Sequence, residues 1–269
     1  MRSNSRRLTR LATTAAALLT ATAAVALAAS PADAAGPNYV ALGDSYSSGV
    51  GTTSSYLNSC DQSTSAYPYL YAQAAGASSF SFEACTGATT SDVINSQLGT
   101  LSSSTTLVSI TIGGNDVGFS TIMEDCILEG DSGCTSAVNG AENAVNTTLG
   151  ASLDTTYSDI RAKAPNAKVV VLGYPMFYDL SQSSGCIGLD GTKRSKIDEG
   201  DALLNSRIKT EVAKYSNFVF EDVTPYFSGH ELCDSTEWLH SLTWPISSSY
   251  HPTAAGHSGG YLPAMEAGA

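Results

Sequence analysis

The sequence predicts an α/β fold, a three-layer α/β/α sandwich with a central, mostly parallel sheet. Two observations predict it: short runs of apolar, often β-branched residues recur along the chain, and helix-like stretches separate them. Continuous apolar runs are typical of strands buried on both faces, and their alternation with helices is typical of crossover connections.

Four segments form the predicted strands, and a glycine or a proline follows each within two residues: 39–42, 107–112, 168–172 and 218–223. Polar residues come directly after the first two, with Asp44 and Ser45 behind Gly43 and with Asn115 behind Gly113-Gly114. In parallel sheets, functional groups collect beyond the carboxyl ends of the strands. We therefore expect the functional site at this edge.

Three segments with helical spacing of apolar residues form the predicted helices: 67–75, 137–164 and 195–215. Pro165 ends the second, because proline cannot continue a helix. The Ser/Thr/Gly-rich stretches are predicted to be loops: 47–66, 99–106 and 179–192. No internal repeat or long linker divides the chain.

Residues 1–34 have the layout of a secretory signal peptide. Four arginines lie within residues 2–10, the stretch 11–28 is apolar or small, and Ala32-Asp33-Ala34 forms a cleavage site. A membrane anchor is the alternative, but the stretch is rich in Ala and Thr and poor in Leu. We expect removal of 1–34 and a secreted, extracellular protein in which 35–269 is a single catalytic domain.

Charge excludes several kinds of partner. Residues 35–269 contain nine basic and 24 acidic residues, a net charge of −15 with neutral histidines. Such a chain is repelled by nucleic acid and by anionic lipid, so that any lipid contact must be apolar. No later segment is long and apolar enough to cross a membrane. We expect a monomer with no nucleic-acid partner and no integral membrane association.

Six cysteines in an exported chain favour disulfides over a metal site. None follows the C-x-x-C pattern and no histidine cluster lies near a pair, so we expect neither a metal nor a cofactor. The gaps favour sequential pairing, although the sequence alone leaves other connectivities open: Cys60–Cys85, Cys126–Cys134 and Cys186–Cys233.

A serine nucleophile needs a base, usually histidine, and this chain has four. His251 differs from the others because Pro252 follows it, and proline favours the first position of a helix. We therefore predict that His251 caps a helix whose positive end keeps the ring neutral. The other three are interpreted as loop or structural residues: His230, His240 and His257.

Four blocks in this order resemble the SGNH, or GDSL, hydrolase family: Gly43-Asp44-Ser45-Tyr46, Gly87 within Cys85-Thr86-Gly87-Ala88, Gly113-Gly114-Asn115-Asp116, and His251. The signal peptide, the six cysteines and the His-Pro-Thr-Ala-Ala-Gly-His ending resemble its secreted actinobacterial lipases and phospholipases. The resemblance implies a flavodoxin-like sandwich. It also implies hydrolysis of lipid carboxylic esters through an acyl-enzyme, with phospholipid (A1-type) first and no cofactor.

The resemblance assigns the roles. Ser45 attacks the ester carbonyl, and His251 takes its proton and returns it to the leaving alcohol. The N–H groups of Ser45 and Gly87 and the amide of Asn115 bind the oxyanion, where a fixed donor contributes about 3–4 kcal/mol. Glycine at position 87 lets the backbone approach the substrate closely.

One position departs from the family pattern. An acid usually stands three residues before the histidine, and here that position is Ser248. We predict a Ser–His dyad in which the backbone carbonyl of Ser248 or Ser249 accepts the Nδ1 proton. The alternative is an acid from elsewhere, Asp222 or Asp234.

Gly130-Asp131-Ser132-Gly133 repeats the G-D-S string without a preceding strand, inside the predicted Cys126–Cys134 loop. A motif without its structural context is weak evidence, so we expect Ser132 not to be catalytic.

The sequence leaves alternatives open for the substrate and for the class of protein. Triacylglycerol lipase and short-chain carboxylesterase are the rival activities, and the rival class is a secreted, disulfide-bonded binding or coat protein without catalysis. Apolar residues after the last two predicted strands line an acyl pocket or are ordinary loop residues: Met176, Phe177, Tyr178, Tyr226 and Phe227.

Overall fold

The computed structural model describes residue 1 and residues 35–182 and 188–269. Within them, five parallel strands form one sheet in the order β2-β1-β3-β4-β5. The strands are β1 Asn38–Gly43, β2 Ser79–Phe82, β3 Leu107–Thr111, β4 Lys168–Leu172 and β5 Phe218–Glu221. The chain leaves β1 towards β2 on one side and returns to β3 on the other. A crevice at such a switch point is where parallel sheets bind ligands.

The α-helices connect and follow the strands: α1 Ser45–Ser48, α2 Tyr67–Ala74, α3 Thr90–Asp92, α4 Phe119–Leu128, α5 Asp131–Ala144, α6 Gly150–Lys163, α7 Gly191–Val212, α8 Thr224–Phe227, α9 Ala254–Gly256 and α10 Leu262–Gly268. Single-turn π segments continue α3, α5 and α9: Val93–Gln97, Val145–Leu149 and His257–Tyr261. Short 3₁₀ turns lie at Leu98–Thr100, Asn115–Val117 and Ile246–Ser248.

Helices cover both faces of the sheet. Gly268 of α10 lies against Val170 and Glu221 on one face, and α10 also contacts α2. On the other face, the ring of Phe218 packs 5.7 Å from that of Tyr157 in α6, and α7 contacts α5 and α6. Alternate strand residues point to opposite faces, which places Phe218 and Glu221 in different layers. The predicted α/β/α sandwich is therefore confirmed.

The four predicted strands are present with small changes at their ends, whereas β2 was not predicted. Its sequence, Ser-Phe-Ser-Phe, is short and half-exposed at the edge of the sheet, so it lacks the continuous apolar run of a central strand. Helix α4 was also missed. The second predicted helix begins earlier, at Asp131, so Ser132 lies in the first turn of α5, within the segment that the Cys126–Cys134 disulfide encloses.

The described cysteines include two of the predicted pairs, Cys60–Cys85 and Cys126–Cys134. The third includes Cys186, which lies outside the described residues, while Cys233 is disulfide-bonded. The predicted signal peptide, Met1 apart, also lies outside them. Residues 35–269 form one compact unit. In the described part of the chain, no helix has the length and apolar character needed to span a membrane.

A buried glutamine holds the end of β1. Gly43 donates its backbone N–H to Oε1 of Gln97 at 2.8 Å, and Nε2 of Gln97 donates to the Gly43 carbonyl at 2.9 Å. Gly43 has a φ of 124°, and a Cβ there would come within 2.5 Å of the Thr111 carbonyl oxygen. The glutamine amide thus replaces a strand partner where β1 turns towards Ser45.

Gln97→Ala is expected to lower the free energy of unfolding by about 1–3 kcal/mol, because the buried N–H of Gly43 loses its acceptor. Urea denaturation measures the change. Gln73→Ala, on the exposed side of α2, is the control and should stay within about 0.5 kcal/mol of the parent protein. Equal stabilities of the two variants would contradict this role of Gln97.

Candidate active site

Ser45 is the first residue of α1, directly beyond the carboxyl end of β1. Asp44 precedes it as the N-cap, and its carboxylate accepts the backbone N–H of Tyr46 at 3.0 Å. Asp44 also donates its own N–H to the carbonyl of Thr111, the last residue of β3, at 3.0 Å. The turn is thereby tied to both strands at the switch point, and Ser45 lies in the crevice that the sequence predicted.

The ring of His251 lies between Ser45 and a backbone carbonyl. Its Nε2 is 2.8 Å from Oγ of Ser45, and its Nδ1 is 3.0 Å from the carbonyl oxygen of Ser249. A carbonyl only accepts, so Nδ1 carries the proton of the neutral ring and Nε2 is left to accept from the serine. This is the arrangement that a general base requires.

The other groups considered for orienting His251 lie elsewhere. The carbonyl of Ser248 accepts the backbone N–H of His251 at 3.3 Å, not a ring proton. Asp222 accepts the N–H of Thr224 at 3.0 Å, and Asp234 accepts that of Glu231 at 3.0 Å. Of the predicted candidates, only Ser249 therefore contacts the ring.

The prediction that His251 caps a helix is wrong. Thr253 is the N-cap of α9, and its side chain accepts the N–H of Gly256. The neutral ring has another cause: burial lowers the pKa of His251 to about 4, and the nearby His240 adds a smaller effect in the same direction. The hydrogen bond to Ser249 acts in the opposite direction without cancelling the effect of burial.

Residues adjacent to the nucleophile and the base also contact each other. The hydroxyl of Tyr46 donates to the carbonyl of Tyr250 at 2.5 Å, and the Tyr46 ring lies 5.2 Å from that of His251. This buried contact joins segments that are 204 residues apart in sequence. The contact therefore holds Ser45 and His251 at a fixed distance through their neighbours in sequence, without involving the reacting atoms.

Gly87 and Asn115 lie on loops that are tied together. The side-chain Nδ2 of Asn115 donates to the carbonyl of Ala88 at 3.0 Å, and Asn115 lines the same hollow as Ser45. Gly87 has a φ of 73° and directly precedes Ala88. Two residues before Gly87, Cys85 donates its backbone N–H to the carbonyl of Gly43, the last residue of β1. A primary amide has two N–H groups, so one remains for a substrate.

Sequence reasoning missed a network beneath the nucleophile. The Tyr174 hydroxyl donates to Oδ2 of Asp44 at 2.5 Å and accepts the N–H of Gly114 at 3.0 Å. Burial raises the pKa of Asp44 to about 7, while the Tyr174 hydrogen bond acts in the opposite direction. Tyr174 follows β4, so the rule that polar groups gather after strands could have found it.

Asp201 of α7 was also missed. It is buried, lines the same hollow as Ser45, and its Oδ2 has no hydrogen-bond partner among the described residues. Burial raises its pKa well above the usual value, and the neighbouring Asp198 adds to the shift. The acid form is favoured in such an environment, since a buried carboxylate without a partner is costly. A helix interior gives no sequence signal for this placement.

An apolar groove of about 600 Å³ leads away from His251. Helix α4 forms one wall, and the segment 242–250 forms the other. The apolar residues that line it are Phe119, Met123, Ile127, Leu128, Leu242, Ile246 and Tyr250. Phe177, alone of the apolar set named from the sequence, lines the hollow at Ser45. Phe227 instead packs in the core against Trp238 and Tyr261.

The remaining histidines have partners away from Ser45. His230 stacks on Trp238 with centroids 3.6 Å apart, Nε2 of His240 lies 2.8 Å from the Gly51 carbonyl, and Nδ1 of buried His257 accepts the N–H of Tyr67 at 3.1 Å. Within the described ranges, no cluster of His, Cys, Asp or Glu could hold a metal ion.

Comparison with known proteins identifies the family. Residues 41–258 match the family model of the GDSL-like Lipase/Acylhydrolase family. The chain belongs to this family. The match begins inside β1 and ends beyond His251, so it includes every residue of the site described above.

Three proteins similar to this GDSL-like chain come from Streptomyces. Lipase 1 of Streptomyces coelicolor is 53% identical over 251 residues, which cover 92% of this chain and 91% of the relative. The crystal structure of phospholipase A1 from Streptomyces albidoflavus NA297 is similar, with 50% identity and a TM-score of 0.84 over 87% of this chain and 100% of that one. An extracellular lipase from Streptomyces rimosus has 47% identity and a TM-score of 0.83 over 86% and 99%.

Asp222→Asn and Asp234→Asn are expected to change kcat by less than about threefold, because neither carboxylate contacts His251. Replacing the acid of a Ser-His-Asp triad by Asn lowers kcat by about 10⁴-fold. Turnover of a short p-nitrophenyl ester measures the effect, with His251→Gln as the control that loses activity. A loss of about a thousandfold at either aspartate would contradict the dyad.

Proposed function

We propose that the protein is a secreted lipase of the phospholipase A1 type, which cleaves lipid carboxylic esters through an acyl-enzyme on Ser45. The observation that carries the proposal is the 2.8 Å contact between Oγ of Ser45 and Nε2 of His251, a histidine that also lines an apolar groove of about 600 Å³. A nucleophile with its base supplies the chemistry, and the groove supplies a place for an acyl chain.

The proton follows the hydrogen bonds of the site. His251 accepts the Ser45 proton at Nε2 as Oγ attacks the ester carbonyl, and the imidazolium then gives it to the leaving alcohol. Water then attacks the acyl-enzyme. His251 takes a proton from this water at Nε2 and returns it to Oγ of Ser45, and the carboxylic acid is released. The carbonyl of Ser249 holds Nδ1–H throughout, so the ring keeps one orientation for both steps.

The oxyanion is stabilised by three donors. The N–H of Ser45 is at the start of α1, where backbone donors have no partner within the helix. The N–H of Gly87 and the second N–H of the Asn115 amide complete the set. Fixed donors of this kind contribute about 3–4 kcal/mol each to the transition state.

Lipid esters are favoured over small soluble esters by two independent observations. The groove volume lies within the range of about 300–1,000 Å³ that is typical of ligand sites, and its lining is mainly apolar. Relatives with about half of their residues identical to this chain are named Lipase 1 and phospholipase A1. Phospholipid aggregates are the proposed first substrate, and triacylglycerol is the second.

Secretion and domain organisation belong to the same proposal. Disulfides form in oxidising compartments, and the Streptomyces rimosus relative is an extracellular lipase. Residues 1–34 are the proposed signal peptide and 35–269 the single catalytic domain. A monomer is sufficient, because one chain supplies the serine, the histidine and the oxyanion donors.

The substrate order is tested by comparing kcat/KM for phosphatidylcholine, triacylglycerol and a short p-nitrophenyl ester, with positional analysis of the lysophospholipid. We expect phosphatidylcholine to lose its sn-1 chain and to rank first. Ser45→Ala should lower turnover by about 10⁴-fold or more. Ser132→Ala, the control in the other G-D-S string, should leave it intact.

Different outcomes of these assays would favour each of the alternative functions. Triacylglycerol cleaved in preference to phosphatidylcholine would assign a triacylglycerol lipase, and activity confined to the short ester would assign a carboxylesterase. No hydrolysis of any ester, together with no labelling of Ser45 by a serine-reactive phosphonate, would overturn the enzyme in favour of a binding or coat protein.

A further inference from the structure

Four exposed apolar side chains line the groove or lie next to its lining residues in sequence. Leu128, Leu242, Trp244 and Ile246 are exposed by 73%, 52%, 89% and 60%. They are four of the seven large apolar side chains that are exposed among the described residues. Three of them line the groove, and Trp244 lies between two of these in sequence. We call these four residues the apolar rim; clustered exposed apolar residues mark interaction sites.

The loop that carries most of the rim also carries the catalytic base. Where the two ends of this loop meet, the backbone N–H of His240 donates to the His251 carbonyl. The backbone N–H of Tyr250 donates to the His240 carbonyl, and each distance is 2.9 Å. Near its tip, Thr243 donates its N–H to the Ser249 hydroxyl at 2.9 Å. Ser249 therefore holds the tip by its side chain and the ring of His251 by its carbonyl.

Charge limits what this surface can bind. Residues 241–250 contain no Lys, Arg, His, Asp or Glu, and Glu124 is the ionisable side chain that α4 adds to the groove. With a net charge of −15 over residues 35–269, the protein repels anionic surfaces. An uncharged, apolar surface on an acidic protein fits a zwitterionic lipid surface better than an anionic one.

We propose that the apolar rim is a docking surface that enters the surface of a zwitterionic phospholipid aggregate and brings the groove to the lipid. This inference rests on the proposed function, since it names where the substrate is met. Tryptophan favours the boundary between lipid and water, because its ring is apolar and its N–H is polar. An acyl chain that leaves the aggregate then passes from the rim into the groove, towards Ser45.

Binding is measured without catalysis in Ser45→Ala protein by co-sedimentation with phosphatidylcholine vesicles. We expect binding that persists in about 1 M NaCl, where the Debye length is about 3 Å. Adding Trp244→Ala or Leu242→Ser should weaken vesicle partitioning by about tenfold or more. The control is Leu57→Ser, which changes a leucine of similar exposure, 56%, outside the rim and should stay within about twofold.

Fluorescence reports the location of the contact. The chain has two tryptophans, and Trp238 is already stacked on His230. Vesicles should shift the emission of the Ser45→Ala protein to shorter wavelength, and Trp244→Ala should abolish the shift. In the active enzyme, Trp244→Ala should slow hydrolysis of vesicles while kcat/KM for a short soluble ester stays within about twofold.

The inference is overturned if Ser45→Ala protein does not bind phosphatidylcholine vesicles, if rim variants bind as well as Leu57→Ser, or if binding requires anionic lipid and is lost in salt. A concentration-dependent dimer that Trp244→Ala dissolves would assign the rim to a second copy and overturn it too. Vesicle binding without any ester hydrolysis would instead overturn the proposed function alone. Hydrolysis of soluble esters without vesicle binding would contradict only the docking role of the apolar rim.

Discussion

The hydrogen bond between Ser45 and His251 is the contact on which the site depends, and it joins residues 206 positions apart in sequence. The sheet fixes one partner: β1 and β3 end side by side, and Gln97 and Tyr174 hold the turn before Ser45 through Gly43 and Asp44. The other partner, His251, is fixed by the segment 239–252, whose two ends pair with each other through backbone hydrogen bonds. The buried Tyr46–Tyr250 hydrogen bond connects the two halves.

A backbone carbonyl in place of a carboxylate changes the electrostatics of the base. A carboxylate beside the ring would favour imidazolium, whereas the Ser249 carbonyl is neutral at every pH and its effect on the His251 pKa is smaller than that of burial. The ring therefore keeps its accepting nitrogen through the neutral range. Orientation depends on the loop backbone, which is held at Thr243 and Tyr250 by hydrogen bonds that no titration removes.

The sequence predicted the parts of the molecule that have strong local patterns. Buried central strands are continuous apolar runs, and Gly43, Ser45 and Asn115 could be placed because they follow such runs. Strand β2 lacked that pattern, and α4, which forms a wall of the groove, begins after Gly118 without a side-chain cap. The choice between Ser248 and Ser249 depends on backbone angles near Tyr250, whose φ is 61°. The helix cap was misplaced because Pro252 suggested it, while Thr253 provides the side-chain acceptor.

The most direct test of the dyad is a ¹⁵N NMR titration of the His251 ring, assigned with His251→Gln, in protein labelled at histidine. Our account predicts a neutral ring with its proton on Nδ1 and an unprotonated Nε2 at neutral pH, titrating with a midpoint of about 4. Folding is followed in parallel by the amide spectrum. A midpoint at or above the usual histidine value of about 6.5, or a proton on Nε2, would contradict it.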